Sequence, residues 1–332
     1  MTPRPRTLVT GAAGFLGSHL CEALLSAGHE VVGYDNLSTG RLANIGAPLR
    51  APLFRFVEAD VLDSPRMVEA LADCDLVFHL AAHADVRRNP EHPALVFEQN
   101  AHATLALLES MRKSGIRRIA FASTGSVYGE NPIIPTPENV PFPIQTSIYA
   151  AAKLASEGLL SAYAEAFGFQ VFIVRLVSLL GPRYSHGHVA DFLAQLSLHP
   201  DHLEILGDGR QRKAYLDARD AAQALLLAAQ RCRQRVNVLN AGSRCLTVER
   251  SARLIAARLG AEPRLRYKGG RRGWPGDVPD IRLDCRRLRK LGWKPRHSVI
   301  SSLEQTVDYL LEEKNSRTAE ITRAACESVN AG

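Results

Sequence analysis

Short runs of apolar residues recur along the first half of the chain. Each is too short for a helix, and the stretches between them return leucines at three- and four-residue spacing. Residues 6–10, Arg-Thr-Leu-Val-Thr, read as a buried strand. Leu20, Leu24 and Leu25 then line one face of a helix that stops near Gly28. Residues 31–34 are a second strand ending at Asp35, residues 53–57 a third ending near Asp60 and Val61, and residues 76–80 a fourth. A long helical pattern from about 93 to 113 carries Asn100, and residues 118–122 form a fifth strand. Later, residues 170–176 repeat the strand pattern, an alanine- and leucine-rich stretch after Asp220 reads as a buried helix, and residues 236–242 form a strand returning to the sheet. Strands alternating with helices across short turns predict an α/β protein with a parallel sheet covered on both faces.

The turn after the first strand is Gly11-Ala-Ala-Gly14-Phe15-Leu16-Gly17. Glycines there permit a tight turn and let a pyrophosphate approach backbone N–H groups at a helix N-terminus. Asp35, at the end of the second strand, stands where a carboxylate accepts a hydrogen bond from a ribose 2′-hydroxyl and repels a 2′-phosphate, which favours NAD over NADP. The fourth strand opens into Leu80-Ala81-Ala82-His83-Ala84-Asp85-Val86, whose small residues let backbone pass close to a cofactor. His79 reads as packed within its strand and His83 as lining the loop.

A second constellation follows the fifth strand. Ser123-Thr124-Gly125-Ser126-Val127-Tyr128-Gly129 stands at a strand end, where doubly wound folds place their chemistry. Twenty-five residues beyond Thr124 comes Tyr149-Ala-Ala-Ala-Lys153. Four-residue spacing puts this tyrosine and lysine on one side of a helix, and an ammonium beside a phenol favours the phenolate, a base near neutral pH. The proline-rich loop between the two segments can fold back to bring the hydroxyls together.

Composition narrows the remaining possibilities. A chain of 332 residues with 46% hydrophobic and 23% charged residues can bury a large core, as one domain or two coupled ones. The net charge of +7 is dispersed, which suits small anionic ligands, and no recognition motif for nucleic acid accompanies it. No apolar run reaches the ~18 residues of a membrane span. The N-terminus leads directly into a strand, leaving no room for a signal peptide. The six cysteines are scattered with no Cys-x-x-Cys pair, so the expectation is reduced thiols, no metal site and a cytoplasmic protein.

Together the Gly11–Gly17 turn, Asp35-Asn36-Leu37-Ser38-Thr39-Gly40, Leu80-Ala81-Ala82, the Thr124–Gly129 segment and the Tyr149/Lys153 pair resemble the extended short-chain dehydrogenase/reductase family, in its nucleotide-sugar epimerase and dehydratase branch. The resemblance covers nearly the whole chain. It implies a Rossmann-type doubly wound parallel sheet over residues 1–176, with a returning segment at about 215–245. It also implies a smaller, interleaved C-terminal α/β substrate domain over 177–315. Residues 316–332 read as a loose polar tail after a final helix from about Ser302. By similarity, Tyr149 is the general base, Lys153 holds the nicotinamide ribose and lowers the tyrosine pKa, and Thr124 hydrogen-bonds the reacting oxygen. Contacts to NAD are expected from Gly11, Gly14, Phe15, Leu16 and Gly17, from Asp35, Asn36, Ser38, Asp60 and Val61, and from Leu80, Ala81, Ala82, Asn100 and Ser123, with Tyr149 and Lys153.

The same resemblance places a nucleotide sugar, expected to be UDP-linked, against Val86, Ser126, Ser178, Arg183, Arg212, Lys213, Tyr215, Arg271, Arg272 and Asp277. Two of these positions and a neighbouring one depart from the family pattern. Ser178 stands where relatives have asparagine, and Lys213 where they offer an arginine to the diphosphate. Trp274 replaces an arginine, so that phosphate role moves to Arg271 or Arg272. Ile281 falls near the position that sizes the sugar pocket. The dehydratases carry an acid pair directly after the threonine and the decarboxylases a glutamate at Ser126, whereas this chain has Gly125 and Ser126. The expectation is therefore an NAD-dependent UDP-sugar 4-epimerase, with a decarboxylase or dehydratase as the alternative. The family is often dimeric through the helices holding Tyr149 and residues 93–113. Leu105, Leu108, Leu154 and Leu159 either contribute to such an interface or pack within the monomer.

Overall fold

A computed structural model describes residues 4–84, 91–141 and 144–330, with side chains through 316. The first half alternates as the periodicity predicts: β1 (Arg6–Thr10), α1 (Phe15–Ser26), β2 (Glu30–Asp35), β3 (Phe54–Glu58), α2 (Ser64–Ala70), β4 (Leu76–His79), α3 (Pro93–Phe97), α4 (Ala103–Lys113), β5 (Arg118–Thr124), α5 (Ile148–Phe167) and β6 (Gln170–Leu176). The second half continues with β7 (Ser178–Leu180), α6 (His188–Leu198), β8 (His202–Ile205), β9 (Arg212–Asp217), α7 (Ala218–Arg231), β10 (Val236–Ala241) and β11 (Cys245–Thr247). It ends with α8 (Val248–Arg258), β12 (Arg264–Tyr267), β13 (Asp280–Ile281), α9 (Arg286–Lys290) and α10 (Val299–Asn330).

Seven strands form one parallel sheet in the order β10-β6-β5-β4-β1-β2-β3. Leu8 of β1 stands opposite Val32 on one side and Val77 on the other. Alternate residues of these strands feed two separate cores. Leu8, Val32, Val77, Ile119, Phe121 and Ile173 pack with α2, α4 and α5, while Val9, Val31, Phe78, Ala120, Phe172 and Val174 pack with α1 and α7. The alanines of α7 (Ala221, Ala222, Ala224, Ala228 and Ala229) are buried, and their small size lets α1 and α7 lie close on the sheet. The strand order reverses between β1 and β4, and a crevice at such a switch point is where doubly wound sheets take ligands.

A second, smaller layer holds β11, β9 and β13 with β7 alongside β9, and a parallel pair β8–β12. Helices α6 and α8 and the first turns of α10 enclose its core around Phe192, Leu193, Tyr215, Ile255, Leu303 and Val307. The chain enters this layer after β6, returns to the large sheet for α7 and β10, and leaves again.

Two local features differ from the sequence expectation, and one alternative left open is resolved. The helical stretch 93–113 is interrupted by a π turn at Glu98–His102, which carries Asn100. The polar tail after Asn315 is instead helical, since α10 runs through Asn330 without a glycine or proline to end it. Leu108 cannot serve a subunit interface: it is fully buried in the core beneath α4, and Leu159 packs against the same core.

Candidate functional site

The turn after β1 is built by close approach. Gly11 has φ +70°, and a Cβ there would lie 2.7 Å from the backbone nitrogen of Ala81. A Cβ on Gly17 would lie 1.9 Å from the Gly11 carbonyl oxygen, so α1 can start this near the turn only without a side chain. Gly14 is the N-cap of α1 and brings no side-chain acceptor, and the first turn, which begins with Phe15 and Leu16, holds no acid. The positive end of the helix dipole is therefore uncompensated beside the turn, as an anion requires. Leu80 and Ala81 pack against this turn, both donating their N–H to the Thr10 hydroxyl at 3.2 Å, and Ala82 follows half-buried.

Asp35 closes the far side of the crevice. Its Oδ2 accepts from the Ala13 N–H at 2.9 Å and its Oδ1 from the Leu37 N–H at 2.8 Å. Burial pushes this carboxyl up while the two backbone donors oppose the shift. A carboxylate offers about four acceptor positions, so two remain for a ribose hydroxyl. Asn36 accepts from Ser38 and donates to Asp60 at 2.7 Å, which ties the loop after β2 to that after β3, where Val61 is buried. Asn100 is buried and donates to the Val96 and His83 carbonyls, yet its Oδ1 and the His83 Nδ1 have no partner among the described residues. The glycine cradle, the paired but unsaturated carboxylate and these two orphaned atoms fit NAD, which Gly11–Gly17, Asp35 and the loop after β4 would hold.

The reacting corner lies where α5 meets the end of β5. Ser147 caps α5 by accepting from the Ala150 N–H at 3.2 Å. Lys153, 2% exposed, donates to the Ala122 carbonyl at 3.1 Å, and its ammonium stands 4.5 Å over the Phe121 ring and 5.9 Å from the Tyr149 ring centre. Burial draws the Lys153 ammonium down to about 7, against the opposing charge of Glu157. The Tyr149 phenol is pushed up to about 12 by burial, so desolvation outweighs the lowering expected from the lysine. Thr124 caps a 3₁₀ turn at Gly125–Tyr128, its hydroxyl oxygen accepting from the Ser126 N–H at 3.1 Å. That leaves its own proton to donate elsewhere. Gly125 is walled in: a Cβ there would meet Leu283 at 3.3 Å and Ile281 at 3.4 Å.

Behind this corner lies a buried polar network that the motifs did not reveal. Ser123 donates to Glu157 at 2.5 Å, Glu157 pairs with Arg175 at 2.6 Å, and Arg175 donates to the Tyr128 hydroxyl at 2.7 Å. Tyr128 in turn donates to Asn240 at 2.8 Å. Two signals were present in the sequence: Glu157 follows Lys153 by one helical turn, and Arg175 is a charge inside an apolar strand, where it needs a partner.

The expected sugar-nucleotide residues are placed less uniformly. Lys213 and Asp277 face each other: the buried ammonium pairs with the Asp277 carboxylate and the Val278 carbonyl, 5.5 Å over the Trp274 ring. Lys213 is thus a link between β9 and the 273–278 loop rather than an open diphosphate ligand, and Asp277 also accepts from the Gly273 N–H. Arg271 and Arg272 are exposed and both pair with Glu130, which follows the 3₁₀ turn. Arg183 pairs with Glu22 of α1 at 2.5 Å. Tyr215 is buried, its hydroxyl 3.3 Å from His188 Nε2. Arg212 and Ser178 are exposed on β9 and β7, and half-buried Ser126 is in the 3₁₀ turn. Val86 lies outside the described residues. Among the described residues no group of histidines, cysteines and acids could hold a metal, and no helix is long and apolar enough to cross a membrane.

Comparison with known proteins agrees with this geometry. The model of the NAD dependent epimerase/dehydratase family matches residues 7–242. A UDP-glucose 4-epimerase of Mycolicibacterium smegmatis is 35% identical over 314 residues, 92% of this chain and 98% of the relative. The crystal structure of a Thermotoga maritima UDP-glucose 4-epimerase with UDP-glucose is 34% identical and superposes with a TM-score of 0.82, covering 93% of this chain and 99% of that one. A Streptomyces venezuelae dTDP-glucose 4,6-dehydratase double mutant with NAD bound is 29% identical with a TM-score of 0.85, covering 93% and 98%. Backbone shape thus fits both reaction types equally well, and side chains at the reacting corner must separate them.

Proposed function

This chain belongs to the NAD dependent epimerase/dehydratase family, and on that premise we propose that it is an epimerase inverting C4 of a UDP-linked sugar. The observation that carries the reading is the corner after β5. The two residues following Thr124 carry no carboxylate, and a Cβ on Gly125 would already touch Leu283 and Ile281. Removing water across C5–C6 calls for further acid–base groups, whereas inversion needs a base, a hydride acceptor and room for the sugar to turn.

Bound NAD supplies hydride acceptance from C4 and return of the hydride to the opposite face. The chain does the rest. Tyr149 takes the proton of the 4′-hydroxyl and gives it back after the sugar has rotated. Lys153, fixed by the Ala122 carbonyl, stabilises the phenolate electrostatically and holds the nicotinamide ribose. Thr124, whose oxygen is already occupied by the Ser126 N–H, donates its proton to the reacting oxygen. Gly11, Gly14 and Gly17 with Asp35 bind the dinucleotide, and Arg271 and Arg272, which pair with Glu130, exchange that carboxylate for the diphosphate.

The test is proton NMR and mass spectrometry of the purified protein with UDP-glucose, UDP-N-acetylglucosamine and UDP-glucuronate, without added cofactor. A C4 epimer of unchanged mass, abolished by Tyr149→Phe, is the expected result and names the sugar. A product lighter by water or carbon dioxide overturns the assignment in favour of a lyase.

A further inference from the structure

The network behind the reacting corner has a polarity. Glu157 and Arg175 are each 5% exposed, and their two side chains form a bidentate pair through Arg175 Nε and Nη2. Burying such a pair costs desolvation that apolar residues of similar volume would avoid, so fold stability alone is a weak reason for it. Its orientation offers a better one. The carboxylate end lies one helical turn after Lys153 and also receives the Ser123 hydroxyl, next to Thr124. The guanidinium end points away, to the Tyr128 hydroxyl and the Glu138 carbonyl.

We propose that Glu157, oriented by Arg175, is a positioning residue for the reaction: it sets a buried negative charge one helical turn from Lys153, and through Ser123 it fixes the strand end that carries Thr124. The proposal rests on the role given to Lys153 above. The titratable groups coupled to that ammonium are Tyr149 and Glu157 on α5 and His79 on β4; Arg175 on β6 and Tyr128 in the 3₁₀ turn connect to it through Glu157. His79 hydrogen-bonds Thr10 at 2.7 Å and Thr104 at 3.1 Å, and burial with the nearby lysine draws it down to about 3, so it stays neutral. Tyr128 is pushed up to about 12 by burial and stays protonated. Arg175 spends its charge on Glu157. Burial works to discharge Lys153, and the charge of Glu157 opposes it.

The experiment is the pH profile of kcat for the NAD-containing enzyme, using whichever sugar nucleotide turns over. The descending limb reports loss of the Lys153 proton. Glu157→Gln should move that limb down by about one pH unit, the size of one lost opposite charge in a buried site. Glu157→Asp should leave it in place even if its rate is lower. A purely structural role would lower rate and stability in both variants without moving either limb. Should Glu157→Gln not fold with an unpaired guanidinium beneath it, the double variant Glu157→Gln/Arg175→Gln removes both charges and should shift the limb in the same direction. Lys153→Met separates the two layers of the argument. If Lys153→Met is inactive while the Glu157 limbs stay at the wild-type pH, this proposal is overturned alone. If Lys153→Met turns over at the wild-type rate, the role of Lys153 falls, and this proposal with it.

Discussion

Lys153 should cost this protein stability in a way that pH can switch off. The ammonium is buried and drawn down to about 7, whereas in the unfolded chain it returns to its ordinary 10.5. A lysine with a lowered folded pKa destabilises fully below that value, where both states are charged, and the penalty fades as pH rises towards the unfolded value. Between pH 7 and pH 9 the unfolded state holds up to one proton more than the folded one. At about 1.4 kcal/mol per unit, and allowing for half-titration at the start, this amounts to about 2 kcal/mol of stability gained. Above that window the buried Cys74 and Cys285 thiols, pushed up to about 11 and about 12, remain protonated only in the folded state and pull the other way. Lys213, also lowered by burial, adds a slope of its own. The quantity to measure is therefore the difference between wild type and Lys153→Met, in urea unfolding of cofactor-free protein at pH 7, 8 and 9. The wild type should gain about 2 kcal/mol more than the variant across that range. Parallel curves for the two proteins would refute the reasoning, because they would mean that Lys153 is charged or neutral alike in both states.

Other substitutions test the cradle and the second layer. Gly17→Ala places a methyl group 1.9 Å from the Gly11 oxygen and should abolish retention of NAD through purification; Gly14→Ala, whose Cβ meets the same oxygen at 3.1 Å, should weaken it less, both read by chromatography of the released nucleotide. Asp277→Asn leaves the Lys213 ammonium buried without its counter-charge and should cost about 3–5 kcal/mol, seen as a lowered melting temperature. Glu130→Gln breaks two ion pairs with exposed arginines and should change unfolding free energy by less than about 1 kcal/mol.

Most of the large sheet was legible because its strands obey local rules. Leu8-Val9, Val31-Val32 and Val77-Phe78 are apolar on both faces, as buried parallel strands must be, and glycine and acid punctuate them where a dinucleotide would lie. The pairing of Tyr149 with Lys153 follows from helical spacing alone. What escaped reading depends on contacts between distant segments. The sequence sets Lys213 where relatives offer an arginine but does not show that the loop carrying Asp277 meets it, nor that Glu130 stands beside Arg271 and Arg272. The Tyr149 phenol illustrates the same limit in electrostatics: spacing reveals the neighbouring charge, but the burial that outweighs it is set by the whole fold.

The return of α7 and β10 to the large sheet has a consequence for synthesis. A nascent chain that has left the ribosome only as far as Leu176 can pair β1 through β6, but the outer edge of β6 still waits for Val236–Ala241. Over the same interval the apolar side of α1 lacks α7, which will cover it. Bare strand edges and uncovered apolar helices recruit other chains, so the growing polypeptide is most prone to aggregate while the smaller layer is being made. A fragment cut after β6 keeps that exposure permanently, and the dinucleotide-binding half should be recovered as a well-behaved protein only when the segment through Ala241 is supplied with it.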